Sequence, residues 1–382
     1  MLSQMNRCLL AIVAAVVILN ACAGIARDRR SGKSKEASAP MLLPVFPYAD
    51  GWLGADDAFS VPLAPGKSLW LFGDTFVGGP ATTLRSDAKT MIHNSIGLST
   101  CRAGQGCTMQ YFWRDRDTSQ PRAFFETGSE GSWYWPLDGY RRGDTLYLPL
   151  LVVHNRPGAH LGDAFGFVID GTRWAKVTNL SAPPDRWKIS VRELTKADLW
   201  VGASAVPDGK FLLLYTEVSE GEGKGYMTVL RVRRDRLDNP AASWEYLRQD
   251  GRWRRGTPQG DARKVIDQPI SEMSVRYHAA EKEWVAISPG PEFPSPRIVA
   301  RTATSPIGPW SEAKPVFEFP EMKPATPGYD KDTFCYATKE HVEFERDGKM
   351  VLTYACYSFS TEKAKKNMGI YRPQVIVLDV PR

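Results

Sequence analysis

Helical periodicity is almost absent from this sequence of 382 residues, which excludes the α/β folds. No recognition-helix pattern and no RNA-binding aromatic motif are found, so the formal net charge of +6 does not indicate a nucleic-acid partner. The basic residues are instead spread along the chain, as on a solvated surface. The six cysteines include no CxxC spacing, so the sequence gives no support for a metal site.

What the sequence does contain is a repeat. Turn signals recur at intervals of about 70 residues, each preceded by one candidate strand and followed by others. The turns are Pro65-Gly66, Arg142-Gly143, Asp208-Gly209, Ala280-Glu281 and Asp347-Gly348. Apolar runs such as SLWLFGD and FLLLYTEV follow them, and four units continue into a poorer fourth strand, such as MQYFWRD or TRWAKVTNL. Repeats of this length with four strands each are typical of a β-propeller.

The fifth unit ends at Arg382 without a fourth strand, while an unused apolar segment, MLLPVFPY, begins the folded region. We therefore predict an all-β fold, a five-bladed β-propeller with four-stranded blades, in which this N-terminal segment supplies the missing strand and closes the ring. The propeller is expected to be one domain over residues 40–382. In such a fold the functional loops gather at one rim, where the first strands of the blades end.

The N-terminal segment has a different character. Arg7 precedes the apolar run LLAIVAAVVIL, which is short for a membrane span and fits the core of a signal peptide. The sequence LNAC resembles a lipoprotein signal, which predicts removal of residues 1–21 and acylation of Cys22. Residues 22–39 are polar and are expected to form a flexible tether. The prediction is a lipid-anchored protein of the bacterial cell envelope; because Asn20 is not favoured in that motif, plain secretion is the alternative.

Four cysteines remain in the folded part: Cys101, Cys107, Cys335 and Cys356. An even number of cysteines in an exported protein favours disulfides over a metal site. Cys101 and Cys107 flank the short loop RAGQG, which can close easily. Cys335 with Cys356 is the remaining pairing.

Acidic residues lie at the open end of the first predicted hairpin. Asp56 and Asp57 precede its first apolar run, and Asp74 ends its second. A three-residue turn places Asp56 opposite Asp74, whereas a two-residue turn places Asp57 there. Either register brings two carboxylates together, and their repulsion makes one of them hold its proton more tightly. Glycoside hydrolysis requires such an acid and base, while the alternative is that these residues bond backbone amides at strand ends.

Other residues are candidates for substrate binding: Asn94, Trp135, Asp138, Glu272, Tyr336 and His341. Glu272 precedes its turn by about as much as Asp56 precedes its own, which predicts a third acid at the rim. Glu217 follows a strand as Asp74 does and is a weaker candidate. Each has a structural alternative: Asp and Asn side chains often shape turns, an isolated His is often only hydrogen-bonded, and aromatic residues fill blades.

Several stretches together resemble a known family: GWLGADDAFSVPL, LWLFGDTFVGG, HNSIGLS, WYWPLDG, SEMSVRYH, GPWSE and CYATKEHVEF with LTYAC. That family is the bacterial secreted domain of unknown function 4185, some members of which are endo-D-arabinanases of glycoside hydrolase family 183. The resemblance covers nearly the whole chain after the tether. It implies a five-bladed propeller and a catalytic pair in the GAD and FGDT motifs, here Asp56 and Asp74. Asp57 stands where a small or variable residue is expected.

The resulting prediction is a glycoside hydrolase that cleaves a furanose polysaccharide, specifically an endo-acting D-arabinanase on arabinan or arabinogalactan. No organic cofactor is implied, and the central channel leaves room for a structural cation. The expected partners are the polysaccharide and, through the lipid anchor, a membrane. Two alternatives stay open: a propeller that binds glycan without cleaving it, and an exo-acting glycosidase of the arabinofuranosidase or fructan type.

Overall fold

A computed structural model of the protein describes residues 41–158, 166–196, 198–221 and 223–381. The predicted signal peptide and the predicted tether, with Cys22, lie outside the described residues. Within these ranges the only α-helix is α1 (Thr361–Lys366), and no helix is long and apolar enough to cross a membrane.

Five antiparallel sheets follow one another along the chain. The first contains β1 (Trp52–Ala64), β2 (Lys67–Val77), β3 (Thr90–Ile92), β4 (Ser95–Arg102) and β5 (Gly106–Phe112). The second contains β6 (Ser132–Pro136), β7 (Tyr140–Arg142), β8 (Thr145–Asn155), β9 (Phe167–Thr178) and β10 (Lys188–Glu193). The third contains β11 (Leu199–Asp208), β12 (Phe211–Gly221), β13 (Lys224–Arg233), β14 (Glu245–Leu247) and β15 (Trp253–Arg255).

The fourth sheet contains β16 (Ser274–His278), β17 (Glu283–Pro289), β18 (Arg297–Ala303) and β19 (Lys314–Glu318). The fifth contains β20 (Thr333–Glu340), β21 (Lys349–Ser358) and β22 (Gln374–Asp379). Short 3-10 helices lie in the connections, at Arg85–Asp87, Pro184–Arg186, Pro240–Ala242, Pro320–Met322 and Val342–Phe344.

The second strand of a blade has an apolar central stretch because this part is covered on both faces. In β12, Leu212 and Leu214 belong to the hydrophobic cluster shared with the second sheet, whereas Leu213 and Tyr215 belong to the cluster shared with the fourth. Alternate side chains of a strand point to opposite faces, so each sheet packs against both of its neighbours. This packing produces the ring and confirms the predicted five-bladed β-propeller.

The ring closes by packing, which corrects the predicted closure by an N-terminal strand. Residues 41–48 form no strand, and the fifth sheet has three. Pro44 and Pro47 lack the N–H groups that a strand would donate. The segment instead buries Phe46 against Trp70 of β2, with ring centroids 4.8 Å apart in edge-to-face contact. Phe46 and Trp70 share one hydrophobic cluster with Val351 of the fifth sheet, so apolar packing joins the two ends of the ring.

A buried arginine adds polar contacts at the same junction. Arg85 is fully buried beside β2, and its guanidinium donates to the backbone oxygens of Leu53, Ala364, Asn367 and Ile370 at 2.6–3.0 Å. Four carbonyls from two ends of the chain therefore converge on one cation. This arrangement fixes the connection between α1 and β22 against the first strand of the propeller.

Strand number differs from the prediction in other blades too. Four strands lie side by side in the first, second and fourth sheets, but the third has five. In the second unit the stretch TRWAKVTNL, predicted as a fourth strand, lies almost wholly within the long β9, and β10 is the outer strand. The sequence pattern broke β9 in two because Gly171 interrupts its apolar run. Gly171 has a φ of +94°, a conformation that favours glycine.

Both cysteine pairs form disulfides in the structure. Cys101 and Cys107 are directly opposite each other on β4 and β5, and Cys335 and Cys356 are directly opposite on β20 and β21. Each disulfide therefore links adjacent strands within one blade.

Candidate active site

The first hairpin carries the acidic residues, and its register is set by a bulge. Pro65 and Gly66 form a two-residue turn, since Ala64 pairs with Lys67. A register shift between Pro62 and Ala64 then moves the strands into the alignment expected for a three-residue turn. A two-residue turn without that shift would have placed Asp57 opposite Asp74.

Further register shifts surround Asp56 and Asp57 in β1. Ala55 pairs with Thr75 and Asp57 pairs with Phe72, so Asp56 lies opposite the Gly73-Asp74 step. Asp57 has a φ of +65°, which is uncommon for a residue with a side chain. The irregular backbone turns both neighbouring carboxylates toward the same side of the hairpin.

Gly73 makes room for those carboxylates. A Cβ atom at this position would lie 2.5 Å from Asp56 Oδ1 and 2.5 Å from Asp57 Oδ2. Both oxygens therefore occupy space that any other residue at position 73 would need.

Asp74 is held by two N–H donors. His93 Nδ1 and Trp135 Nε1 each lie 2.9 Å from Asp74 Oδ1. His93 comes from the connection between β3 and β4, and Trp135 from the first strand of the second blade. The Asp74 side chain retains 16% of its exposure, so it is oriented by these donors and still open to solvent.

Two tyrosines from the fifth blade reach the same acids. Tyr336 donates from Oη to Asp56 Oδ2 at 2.7 Å, and Tyr371 Oη lies 3.4 Å from the same oxygen and 3.0 Å from the backbone oxygen of Asp74. Burial raises the pKa of both phenols well above the ordinary value, so both stay protonated and act as donors. Tyr371 thus joins Asp56 and Asp74 in one hydrogen-bonded group.

The pKa of Asp56 is raised well above its ordinary value. Burial is the largest cause, and the negative charges of Asp74 and Glu272 add to it, whereas the Tyr336 hydrogen bond and the charge of Lys339 oppose it. Asp56 is partly exposed to solvent all the same. The site therefore contains an accessible carboxyl group that favours its protonated form.

A second acid, Asp57, lies beside Asp56 and contacts a buried lysine. Lys339, buried in β20, places Nζ 3.3 Å from Asp57 Oδ1. Burial raises the pKa of Asp57 well above its ordinary value; Lys339 opposes this rise, and Glu272 adds to it. Glu272 accepts a hydrogen bond of 2.8 Å from the backbone N–H of Ala337. Three acids and one lysine from the first, fourth and fifth blades therefore interact around the mouth of the propeller.

The structure thus brings together Asp56, Asp74, Trp135, Glu272 and Tyr336 from the predicted set. It gives the other predicted residues structural partners. Asn94 is fully buried and bonds the backbone of Phe125 and Tyr134. Asp138 is buried and accepts from Ala205 N at 2.9 Å and from Arg276 at 3.2 Å, which connects the second, third and fourth blades.

His341 and Glu217 are buried as well. His341 Nδ1 lies 2.7 Å from Ser60 Oγ and Nε2 lies 2.7 Å from Thr353 Oγ1. Burial lowers the pKa of His341 well below its ordinary value, so the ring is neutral. Burial raises the pKa of Glu217 to about 8, which keeps it largely protonated at neutral pH.

Three residues of the site were missed by sequence reasoning: His93, Lys339 and Tyr371. His93 and Lys339 lie next to or within quoted motifs, HNSIGLS and CYATKEHVEF, and a charged residue inside an apolar strand was a usable signal for Lys339. Tyr371 follows α1 in an irregular connection and carries no pattern that indicates its position.

A cavity of about 340 Å³ lies beside His93, the hydrogen-bond partner of Asp74. Its lining includes His93, Trp133, Arg122, Glu126 and Thr127. The His93 ring stacks on Trp133, with centroids 4.1 Å apart and planes inclined by 15°. The residue that orients Asp74 is therefore also a wall of this cavity.

Two groups of side chains in the described part of the chain have the spacing needed to hold a metal ion, and neither contains Asp56 or Asp74. One includes Cys335 and Cys356, which are joined in a disulfide and unsuited to bind metal. The other lies between the fourth and fifth blades.

The fold and site define a five-bladed β-propeller whose open mouth is lined with carboxylates and tyrosines. The chain belongs to the family described as domain of unknown function DUF5005, whose model matches residues 45–378. The resemblance to domain of unknown function 4185 and to glycoside hydrolase family 183 stays a prediction. A search of curated proteins found no match.

Solved structures are similar to this chain to different degrees. A proposed hydrolase from Bacteroides ovatus is similar with a TM-score of 0.64 and 19% identity, covering 86% of each chain. An endo-arabinase from Bacteroides thetaiotaomicron has a TM-score of 0.46 and 11% identity, covering 89% of this chain and 98% of its own. A family 117 glycoside hydrolase from Zobellia galactanivorans has a TM-score of 0.48 and 11% identity, covering 88% of each.

Proposed function

We propose that this protein is a glycoside hydrolase that cleaves a furanose polysaccharide, as an endo-acting D-arabinanase. The observation that carries the proposal is the joining of Asp56 and Asp74 through Tyr371 at the mouth of the propeller. One of these carboxyl groups favours its protonated form and the other is held by N–H donors. Such a pair has the two roles that glycoside hydrolysis needs.

Asp56 is the general acid in this mechanism. Its raised pKa keeps a proton available for the oxygen of the leaving sugar, and the Tyr336 bond fixes the orientation of the carboxyl group. Asp74 is the base or nucleophile, because the two N–H donors at Oδ1 suit an ionised carboxylate. Asp74 then attacks the anomeric carbon directly or activates a water molecule that does so.

The polysaccharide would bind along the mouth and into the cavity beside His93. Trp133 and Trp135 offer aromatic surface to sugar rings, and Arg122, Glu126 and Thr127 offer polar groups to hydroxyls. Sugar units bound in this cavity as well as at the acids would favour internal cleavage of a long chain. We further propose that the protein works at the bacterial cell envelope through a lipid on Cys22, where such polysaccharides occur.

The test is hydrolysis of defined polysaccharides by the full-length protein. Arabinogalactan rich in D-arabinan should release oligosaccharides early, measured by product size, while L-arabinan and a fructan are the comparison substrates. Early release of monomers would show the exo-acting alternative. Retention of arabinogalactan without any product would show a glycan-binding propeller and overturn the proposal.

Variants assign the activity to the site. Asp56→Asn and Asp74→Asn should each lower kcat/KM by about 10²–10⁴-fold, the usual contribution of such groups. Asp87→Asn, which removes an exposed carboxylate from the same blade, should leave kcat/KM unchanged. Normal turnover in either site variant would remove that residue from the mechanism.

A further inference from the structure

A cluster of one histidine and three glutamates lies between the fourth and fifth blades. His278 ends β16, Glu281 lies in the turn that follows, Glu340 ends β20, and Glu345 follows the 3-10 helix Val342–Phe344. Glu272 of the active site comes just before β16. The two ends of β16 are about 13 Å apart, at 3.3 Å per residue, and His278 is at the far end. The cluster is therefore at the opposite end of this inner strand from the catalytic mouth.

The side chains in this cluster are close enough to form ion pairs, but none of these contacts has the geometry of a regular hydrogen bond. His278 is fully buried, with Nε2 3.0 Å from Glu340 Oε1 and Nδ1 3.5 Å from Glu345 Oε1. In the described chain neither ring nitrogen has a hydrogen-bond partner, and the same holds for both carboxylate oxygens of Glu340 and for Glu281 Oε2. Buried polar atoms of this kind are nearly always paired, so five in one place require an explanation.

A neutral imidazole cannot satisfy this arrangement alone. It has one N–H donor, so one of its two nitrogens must face a carboxylate with a lone pair. The guanidinium of Arg276 feels the negative charge of Glu340, but its ion pair is with Asp138. The cluster therefore has an excess of negative charge and of electron-pair donors, which a cation would balance.

The spacing suits a single metal ion. One ligand atom each from His278, Glu281 and Glu345 can be chosen so that all lie within 4.8 Å of one another. Atoms bound to the same ion at about 2.0–2.4 Å can be no further apart than this. A donor set of one imidazole nitrogen and carboxylate oxygens fits Zn²⁺ and Mn²⁺ better than Ca²⁺, which prefers oxygen ligands alone.

We propose that His278, Glu281 and Glu345, with Glu340 beside them, bind a divalent Zn²⁺ or Mn²⁺ ion that links the fourth and fifth blades. Glu281 already reaches across the interface, since a Cβ atom added to Gly348, in the turn of the fifth blade, would lie 3.8 Å from its Oε1. The ion has a structural role and takes no part in hydrolysis. This site is separate from the proposed function and can be tested without a substrate.

The experiment is calorimetric titration of the full-length protein, stripped with EDTA, with ZnCl₂ and separately with MnCl₂. One ion per chain should bind, and saturation should raise Tm by about 2 °C or more, because a ligand of the folded state stabilises it. Glu281→Gln and Glu345→Gln, at partly exposed positions, should each weaken binding at least about tenfold and abolish the rise in Tm.

Asp347→Asn is the matched control, since it removes one exposed negative charge two positions from Glu345. It should keep the affinity and the rise in Tm of the unchanged protein. His278→Gln should also abolish binding, but a buried substitution can prevent folding, so the two glutamate variants decide the result. Absence of binding by both ions, or equal binding in the glutamate variants and the control, would overturn the metal site and leave His278 as a buried imidazolium between two carboxylates.

Discussion

Tyr336 of the fifth blade donates a hydrogen bond of 2.7 Å to Oδ2 of Asp56 in the first blade. The two residues are 280 positions apart, so the bond exists only when the ring is closed. It stabilises the ionised form of Asp56 and limits the rise in pKa that burial causes. Closure of the propeller therefore tunes the proposed acid as well as positioning it.

Tyr336→Phe should raise the pKa of Asp56 further, because the variant removes a bond that favours the carboxylate. Where Asp56 must be protonated to act, activity is lost as the pH rises through its pKa. The alkaline limb of the profile of kcat/KM against pH should thus move to higher pH by roughly 0.5–1 unit, the equivalent of one hydrogen bond. Tyr357→Phe, a half-buried neighbour whose ring packs 4.8 Å from Tyr371, should leave the limb in place. An unshifted limb in Tyr336→Phe would contradict the role given to Asp56.

Asp56→Asn should make the protein more stable at neutral pH. A carboxyl group whose pKa is higher in the folded state contributes its full stabilisation below 3.8, its ordinary value, and loses it as the pH rises through the folded pKa. The asparagine variant has no such loss, so its free energy of unfolding should exceed that of the unchanged protein by roughly 1–2 kcal/mol at pH 7.

Denaturant unfolding between pH 3.5 and pH 8 checks this expectation. The difference in the free energy of unfolding between Asp56→Asn and the unchanged protein should become smaller toward pH 3.5. Asp87→Asn, at an exposed position, should have the same free energy of unfolding as the unchanged protein at every pH. A variant at Asp56 that is less stable at pH 7 would mean that the carboxylate is favourably bound in the folded protein.

The blade count could be predicted because burial on both faces leaves a strong signal. Leu212 to Tyr215 are all apolar since each packs against one neighbouring sheet or the other. The closure of the ring could not be predicted in the same way. Residues 41–48 look like a strand by composition, but their prolines prevent pairing, and Phe46 packs instead.

The site was predicted where it follows the repeat and missed where it does not. Asp56 and Glu272 precede their turns by similar numbers of residues, and Asp74 follows the same turn as Asp56, so the turn positions placed all three at one rim. The exact alignment of Asp56 depends on bulges in β1 that no residue in the sequence announces. Tyr371 depends on the connection after α1, which is held by Arg85 through contacts between distant parts of the chain.

Gly73→Ala should damage the site directly. The new methyl group would meet Asp56 Oδ1 and Asp57 Oδ2 at 2.5 Å, so one or both carboxylates must move. We expect a loss of stability of about 1–3 kcal/mol from overpacking and a fall in kcat/KM of more than about tenfold from misplacing Asp56. Gly260→Ala is the control, because a Cβ there meets no atom within 4 Å. Full activity in Gly73→Ala would show that the position of Asp56 is not critical.

Arg85→Met should weaken the closure of the ring and the site together. The variant removes the guanidinium that donates to four backbone carbonyl oxygens, and the connection that carries Tyr371 loses its attachment to β1. The free energy of unfolding, measured with denaturant, should fall by about 3–5 kcal/mol, as when a buried charged partner is removed.

Arg346→Met, at an exposed position in the fifth blade, should change the free energy of unfolding by no more than about 0.5 kcal/mol. The loss of unfolding free energy in Arg85→Lys should lie between those of Arg85→Met and Arg346→Met, because an ammonium group can reach fewer of the carbonyls. In Arg85→Lys, kcat/KM should drop at temperatures where the protein is still folded, since Tyr371 no longer holds Asp56 and Asp74 together. If Arg85→Lys lowered stability and left kcat/KM unchanged, the connection would serve only to close the ring, and Tyr371 would have no part in positioning the acids.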